Sequence, residues 1–293
     1  MPNATSNGLE IAYEDIGPRG GRPLVLVMGL GVSLVFWEDG FCELLAERGH
    51  RVIRFDNRDV GRSTKLDALG VPNVPEAMSA LASGKTISGP YLLSDMARDT
   101  IGVLDTLGIE RAHVLGASMG GMIAQTMAIE HPHRLRSMTS IMSSTGSPNL
   151  PLGKPEAMAL LVRPPASDRS AYIDQAVEVW QVIGSPGFPF DEQRVRTRAA
   201  AHFDRGYHPP GIARQLVAVV ASGDRTASLG KVSTPTLVIH GVDDALVPVE
   251  AGKATAAAVP GARLLLIDGM GHDIPQGAWP KIVDAISELT VQS

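Results

Sequence analysis

One short segment combines a serine with three glycines in a spacing that could support nucleophilic chemistry. It reads GASMGG over residues 116–121, and Ser118 is its polar residue. Apolar runs precede and follow it, which predicts a strand passing directly into a helix through a turn that only small residues allow. Such a turn leaves the hydroxyl at the sheet edge, beside helix N–H groups that favour negative charge. The segment therefore predicts a nucleophile, although a tightly packed glycine turn or a phosphate-binding loop would also fit it.

A serine hydroxyl attacks a carbonyl only when a base removes its proton and an acid orients that base. Among the eight histidines, His272 is the candidate base because its loop, GMGHD, directly follows an apolar run at 264–267 that predicts a strand. Loops at the carboxyl ends of parallel strands meet at one edge of a sheet. His202 and His208 fall in a later helical region and could line a pocket, whereas His240 is expected in the core.

The acid is expected in the loop HGVDDALVP, residues 240–248, which follows another predicted strand. Two adjacent carboxylates, Asp243 and Asp244, stand in this loop. Spacing alone does not choose between them, and one of the two is expected to be a turn residue.

The elements that must position these residues alternate along most of the chain. Short aliphatic runs and amphipathic helical patterns predict an α/β fold, with a mostly parallel sheet covered by helices on both faces. The alternation stops from about residue 145 to 229, a stretch with nine prolines and helical patterns of its own. We therefore predict a core of residues 1–144 and 230–293 and an inserted helical cap, or lid, at 145–229. Strands are expected at 24–28, 52–55, 112–115, 135–142, 236–239 and 264–267.

Composition favours a globular protein with small-molecule partners. The chain has 293 residues, of which 44% are hydrophobic and 19% charged, and a net charge of −5. This balance predicts no surface for nucleic acid or for an anionic membrane. The single cysteine, Cys42, excludes an intramolecular disulfide, and the first residues lack a signal-peptide pattern, so a cytoplasmic location is expected. The expected state is a monomer or a homodimer. Because no HExxH or paired Cys/His spacing occurs, neither a metal nor a cofactor is expected.

Four segments together resemble the α/β-hydrolase fold superfamily over essentially the whole chain. They are GASMGG, HGVDDALVP, GMGHDIP and FDNRDVGRS, and the nucleophile, acid and base follow in the order of that family. In the family the acid follows a glycine as G-x-x-D, with a proline four residues later, which selects Asp244 over Asp243. The segments VMGLG, FDNRDVGRST and GMGH are most similar to the aclacinomycin methylesterase type of carboxylic ester hydrolase.

The resemblance also implies an oxyanion hole made of two backbone N–H groups, which map to Leu30 and Met119. Gly29 and Gly31 would allow the first of these loops to approach the serine closely. The chain departs from many relatives in having Leu30 where a small residue is often found, and Ala117 where histidine, glutamine or leucine is frequent. Neither change removes a backbone donor, but both bear on the shape of the acyl pocket.

The activity that the resemblance implies is hydrolysis of carboxylic esters of small hydrophobic molecules through an acyl-enzyme on Ser118. Aromatic residues of the predicted cap are the candidates for substrate binding, unless they only form a small core for the cap; they are Trp180, Phe188, Phe190 and Phe203. A C–C bond hydrolase or a lactonase would use the same triad. A low-turnover small-molecule receptor on the same fold is the alternative from a different class.

Overall fold

A computed structural model describes residues 2–83, 85 and 87–293. Its strands are β1 (Asn3–Ser6), β2 (Leu9–Ile16), β3 (Arg22–Val27), β4 (His50–Phe55), β5 (Ala112–Ala117), β6 (Leu135–Ile141), β7 (Thr236–Gly241) and β8 (Arg263–Ile267). Within the described residues these eight strands form one sheet, in the order β1-β2-β4-β3-β5-β6-β7-β8. Strands β3 to β8 pair in parallel, whereas β2 is antiparallel to both β1 and β4. The predicted mostly parallel sheet is therefore confirmed.

Helices cover both faces of this sheet, as the sequence predicts. They are α1 (Asp39–Glu47), α2 (Val74–Ala82), α3 (Leu93–Thr106), α4 (Met119–Glu130), α5 (Pro155–Leu160), α6 (Arg169–Ile183), α7 (Glu192–Gly206), α8 (Pro209–Ala221), α9 (Thr226–Leu229), α10 (Val249–Ala258) and α11 (Trp279–Val291). Leu24 and Leu26 of β3 belong to the core that includes α1 and α11. Val25 and Val27 belong to the opposite core, with α3 and α4. This alternation follows from the two-residue period of a strand.

Five helices, α5 to α9, lie between β6 and β7, in the region predicted as a cap. Helices α6 and α7 pack on each other through a small cluster of their own, formed by Ala176, Val177, Val195 and Ala199. Helix α8 is anchored differently, because its Ala218 is buried in the main core. The exact division of the chain into core and cap stays a prediction.

The sequence pattern does not predict β1, β2 or α2. The first two strands carry many polar residues and lie at the edge of the sheet, so they lack the continuous apolar run of a buried strand. A signal for the two strands is present at Asn7-Gly8, where both residues have positive φ, 53° and 77°, as a tight hairpin turn requires.

In the described part of the chain, no helix combines the length and apolar character needed to cross a membrane.

Candidate active site

The backbone at Ser118 turns as sharply as the glycines predict. Ser118 connects β5 to α4 with φ 54° and ψ −120°, a conformation that a residue with a Cβ rarely adopts. A Cβ on Gly116 would lie 2.1 Å from the Gly120 carbonyl oxygen, and one on Gly120 would lie 1.9 Å from the Val27 carbonyl oxygen. Only glycine fits at these two positions, because the obstructing atoms are backbone. The strained turn thus leaves the Ser118 side chain at the carboxyl edge of the sheet.

The structure brings Ser118, His272 and Asp244 into one hydrogen-bonded chain. The His272 Nε2 atom lies 3.0 Å from the Ser118 Oγ, and its Nδ1 atom lies 2.7 Å from the Asp244 Oδ2. The other carboxylate oxygen accepts hydrogen bonds from the amides of Leu246, at 2.9 Å, and Val247, at 2.8 Å. With the carboxylate fixed in this way, His272 carries its proton on Nδ1, and Nε2 is able to accept the serine proton.

Asp243 lies in the same loop but makes different contacts. Its Oδ2 accepts a hydrogen bond of 2.9 Å from the Gly269 amide, and its own amide donates to the Met270 carbonyl at 3.0 Å. Both contacts join the loop after β7 to the loop that carries His272. Asp243 therefore connects the two loops, whereas Asp244 contacts the imidazole itself.

The loop after β3 passes directly beside the serine. A Cβ on Gly29 would lie 3.2 Å from the Ser118 Cβ, closer than an ordinary van der Waals contact, so a residue larger than glycine would crowd the serine. Neither the Leu30 amide nor the Met119 amide has a hydrogen-bond acceptor among the residues that the structure describes. Two N–H groups that have no partner in the described protein, near a nucleophile, fit the oxyanion hole that the family implies.

The segment FDNRDVGRS, residues 55–63, forms buried ion pairs with the inserted helices. Arg205 of α7 donates from Nε to both oxygens of Asp56, at 3.0 and 2.8 Å. Arg214 of α8 binds both oxygens of Asp59, at 2.9 and 2.7 Å. Burial alone would raise the pKa of the Asp59 carboxyl, but the hydrogen bonds from Arg214 and its other neighbours outweigh burial and lower it. The segment thus fastens α7 and α8 to the sheet, a role that its sequence did not reveal.

A cavity of about 650 Å³ opens over Ser118 and His272. Its walls are mainly apolar, and the side chains that the inserted helices contribute include Leu160, Tyr172, Val179, Trp180, Ile183, Tyr207, Ile212 and Leu216. The charged side chains of the wall include Arg198, which lies over the rings of Phe36 and Trp180, at 4.5 and 4.7 Å from their centres. The guanidinium donates to Glu38 at 3.0 Å. The cavity can therefore hold a largely apolar molecule with its carbonyl against Ser118.

Of the four aromatic residues expected to bind substrate, Trp180 lines this cavity and the other three lie elsewhere. Phe188 packs against the core beside α11, and Phe190 is 46% exposed. Phe203 packs on the rings of Tyr172 and Tyr207. The composition of the inserted region indicated aromatic packing but not which helix face turns inward. For the same reason Tyr172 and Tyr207, which line the cavity, were missed as candidates.

The other three histidines considered from the sequence, His202, His208 and His240, have structural partners. His240 is buried in β7, and its Nε2 bonds the Val247 carbonyl at 2.8 Å. His202 does not line the cavity, and burial lowers its pKa to about 4. Its ring is therefore neutral near pH 7, and its Nδ1 accepts a hydrogen bond of 3.1 Å from the Ser33 amide. His208 bonds Asp67 at 2.9 Å, at the surface. No group of three His, Cys, Asp or Glu side chains among the described residues could hold a metal ion.

These features are those of an α/β hydrolase, and the chain belongs to the α/β-hydrolase fold family. The family model described as "alpha/beta hydrolase fold" matches residues 22–179, and one described as "TAP-like protein" matches residues 218–287. The chain is 30% identical to a rhodomycin D methylesterase of Streptomyces sp. (strain C5), over 98% of this chain and 96% of that one. It is 31% identical to a putative carbamate hydrolase of Variovorax paradoxus, over 90% of each chain.

Solved structures agree with this assignment of the fold. An enol-lactonase from Burkholderia xenovorans LB400 superimposes with a TM-score of 0.72 at 24% identity, over 99% of this chain and 98% of that one. The family predicted from the motifs, and the resemblance to a methylesterase, are therefore confirmed.

Proposed function

We propose that this protein hydrolyses carboxylic esters of hydrophobic small molecules, with Ser118 as the nucleophile. The observation that carries the proposal is the continuous chain from Ser118 Oγ to His272 Nε2 at 3.0 Å and from His272 Nδ1 to Asp244 Oδ2 at 2.7 Å. In this arrangement the base contacts the nucleophile and the acid orients the base, which is the requirement for serine acyl transfer. The similarity to a methylesterase supports an ester as the substrate.

The proposed reaction has two acyl transfers. His272 takes the proton of Ser118 as the serine oxygen attacks the ester carbonyl, and the amides of Leu30 and Met119 donate to the oxyanion. The tetrahedral intermediate then collapses, and the C–O bond to the alcohol breaks as His272 returns the proton to the leaving oxygen. Water repeats the sequence on the acyl-enzyme, releasing the acid and restoring the Ser118 hydroxyl. Asp244 stabilises the imidazolium in both halves.

The cavity supports a preference for apolar esters of appreciable size. Its volume of about 650 Å³ is in the range of sites that bind drug-sized molecules, and most of its wall is aliphatic or aromatic. A hydrophobic ester gains free energy by leaving water for such a wall, whereas a highly charged substrate would lose its hydration without enough compensating partners.

A panel of nitrophenyl esters with short and long acyl chains tests this proposal. We expect measurable turnover of these esters and its loss, by more than about a thousand-fold, in Ser118→Ala. The same panel includes a lactone, which is a cyclic ester, and a vinylogous diketone, which is cleaved at a C–C bond. They are included because the three residues alone do not distinguish ester, lactone and C–C bond hydrolysis. If the lactone or the diketone is cleaved faster than every ester of the panel, that compound's class replaces the simple ester as the proposed substrate class. Binding of these compounds without turnover of any would favour a receptor.

A further inference from the structure

The loop that carries Leu30 is held by side chains on both sides of the proposed oxyanion donor. On the side nearer the start of the chain, Asn57 Nδ2 donates to the Met28 carbonyl at 2.8 Å. Beyond the donor, the Leu34 amide donates to Asp56 Oδ1 at 2.9 Å. Both supporting side chains lie in the loop that directly follows β4, the strand next to β3 in the sheet.

Two further supports come from the inserted helices. Gln215 of α8 accepts a hydrogen bond of 2.8 Å from the Gly31 amide through its Oε1 atom. His202 of α7 accepts one of 3.1 Å from the Ser33 amide. The loop is therefore attached to side chains that lie more than 160 residues further along the chain.

The position of the Gln215 contact matters most for the reaction. The peptide that carries the Leu30 N–H lies between the Met28–Gly29 peptide and the Leu30–Gly31 peptide. Asn57 fixes the first of these neighbours through its carbonyl, and Gln215 fixes the second through its N–H. Because Gly29 has no Cβ, the backbone torsion on one side of this peptide is little restricted, and the two supports limit its rotation.

The Gln215 side chain is itself well fixed. It is fully buried, and its Nε2 atom donates to the Arg58 carbonyl at 2.8 Å, so both ends of the amide are engaged. Its neighbour Arg214 forms the buried ion pair with Asp59, and Ala218, one turn later, packs in the main core. Helix α8 therefore holds the amide at a constant place relative to the sheet.

We propose that Gln215 is a positioning residue for the reaction: through Gly31 it holds the Leu30 N–H toward the oxyanion that forms on the carbonyl bound to Ser118. The inserted region would then complete the catalytic site as well as enclose the substrate. This inference rests on the proposed function, since it assigns a role within the same acyl transfer.

The test replaces Gln215 with methionine, which has a similar length but neither accepts nor donates as an amide does. Gln125→Met is the matched control, because Gln125 is also fully buried and also bonded at both ends, to Ser140 and Arg225, but does not touch the loop. For each variant, kcat and KM are measured on a nitrophenyl ester. Affinity is measured for a trifluoromethyl ketone, which forms a tetrahedral adduct with the serine, and for the matching methyl ketone, which binds without a stable adduct.

We expect kcat/KM of Gln215→Met to fall by about 10- to 100-fold, mostly in kcat, because a displaced oxyanion donor loses part of the hundred- to thousand-fold effect of a deleted one. Affinity for the trifluoromethyl ketone should fall by a similar factor, while affinity for the methyl ketone stays within about twofold. A kcat equal to that of Gln125→Met would overturn the inference. Equal losses for both ketones would also overturn it, since they would mean a general disturbance of the cavity.

If circular dichroism shows that Gln215→Met does not fold, Gln215→Asn replaces it. Asparagine keeps an amide in the buried site but is one methylene shorter, so it does not span Gly31 and Arg58 at once. The same separation between the two ketones is expected, and its absence contradicts the inference. If the unaltered protein hydrolyses esters but these variants show no separation, only the role of Gln215 fails. If the unaltered protein hydrolyses none, the proposed function fails first.

Discussion

At the scale of single residues, adjacent aspartates have contacts that differ in kind. Asp244 contacts His272 and accepts two backbone N–H groups, so its carboxylate is fixed against the imidazole. Asp243 accepts from the Gly269 amide in the neighbouring loop. The residues alone left both candidates open, and the family pattern selected Asp244. Neighbouring side chains in a loop point in different directions, and the sequence spacing does not determine which of the two faces the imidazole.

Replacing each aspartate with asparagine separates the two roles. We expect Asp244→Asn to lower kcat by about ten-thousand-fold, because the amide no longer stabilises the imidazolium and favours the wrong tautomer. Asp243→Asn should keep kcat within about tenfold, since its side-chain oxygen is still able to accept from Gly269. Steady-state kinetics on one nitrophenyl ester measures both. The reverse order, or equal losses, would reassign the acid.

At the scale of elements, the turn between β5 and α4 is the part that the sequence predicts most completely. Its glycines and its serine are each required by a particular contact or backbone angle. The inserted helices are the opposite case, because their aromatic residues were recognised but their inward faces were not. Trp180 lines the cavity, while Phe203, on the next helix, packs on Tyr172 and Tyr207. A helix face is decided by how the helix docks. Helices α6 and α7 dock on each other, and α7 also contacts the loop after β4 through Arg205 and Asp56.

Gly120→Ala tests the close approach at this turn. The new methyl group would overlap the Val27 carbonyl, which belongs to a central strand and does not move aside as a side chain would. Overpacking typically destabilises by 1–3 kcal/mol, and we expect a loss of about 3 kcal/mol or more in the free energy of unfolding. Gly20→Ala is the control, because a Cβ there meets no atom within 4 Å. Urea unfolding measures both, and equal stabilities would mean that the turn is not constrained as described.

At the scale of the whole molecule, the parallel sheet explains how distant residues meet. Ser118 follows β5, Asp244 follows β7 and His272 follows β8, and all three strands end at the same edge. The mostly parallel sheet could be anticipated from the alternating pattern, and so could the general position of the site, whereas the order of the strands could not. The buried pairs of Asp56 with Arg205 and of Asp59 with Arg214 could not, because each joins segments about 150 residues apart, and neither partner is marked by its local sequence.

The central claim is that this convergence makes Ser118 the reactive group of the protein. The most direct measurement is labelling of the folded protein with a fluorophosphonate, followed by peptide mapping with mass spectrometry. We predict one adduct per chain, on the peptide that contains Ser118, and a labelling rate that falls by at least a hundred-fold in His272→Asn. An adduct on a different residue, or no adduct on folded protein, would contradict the account.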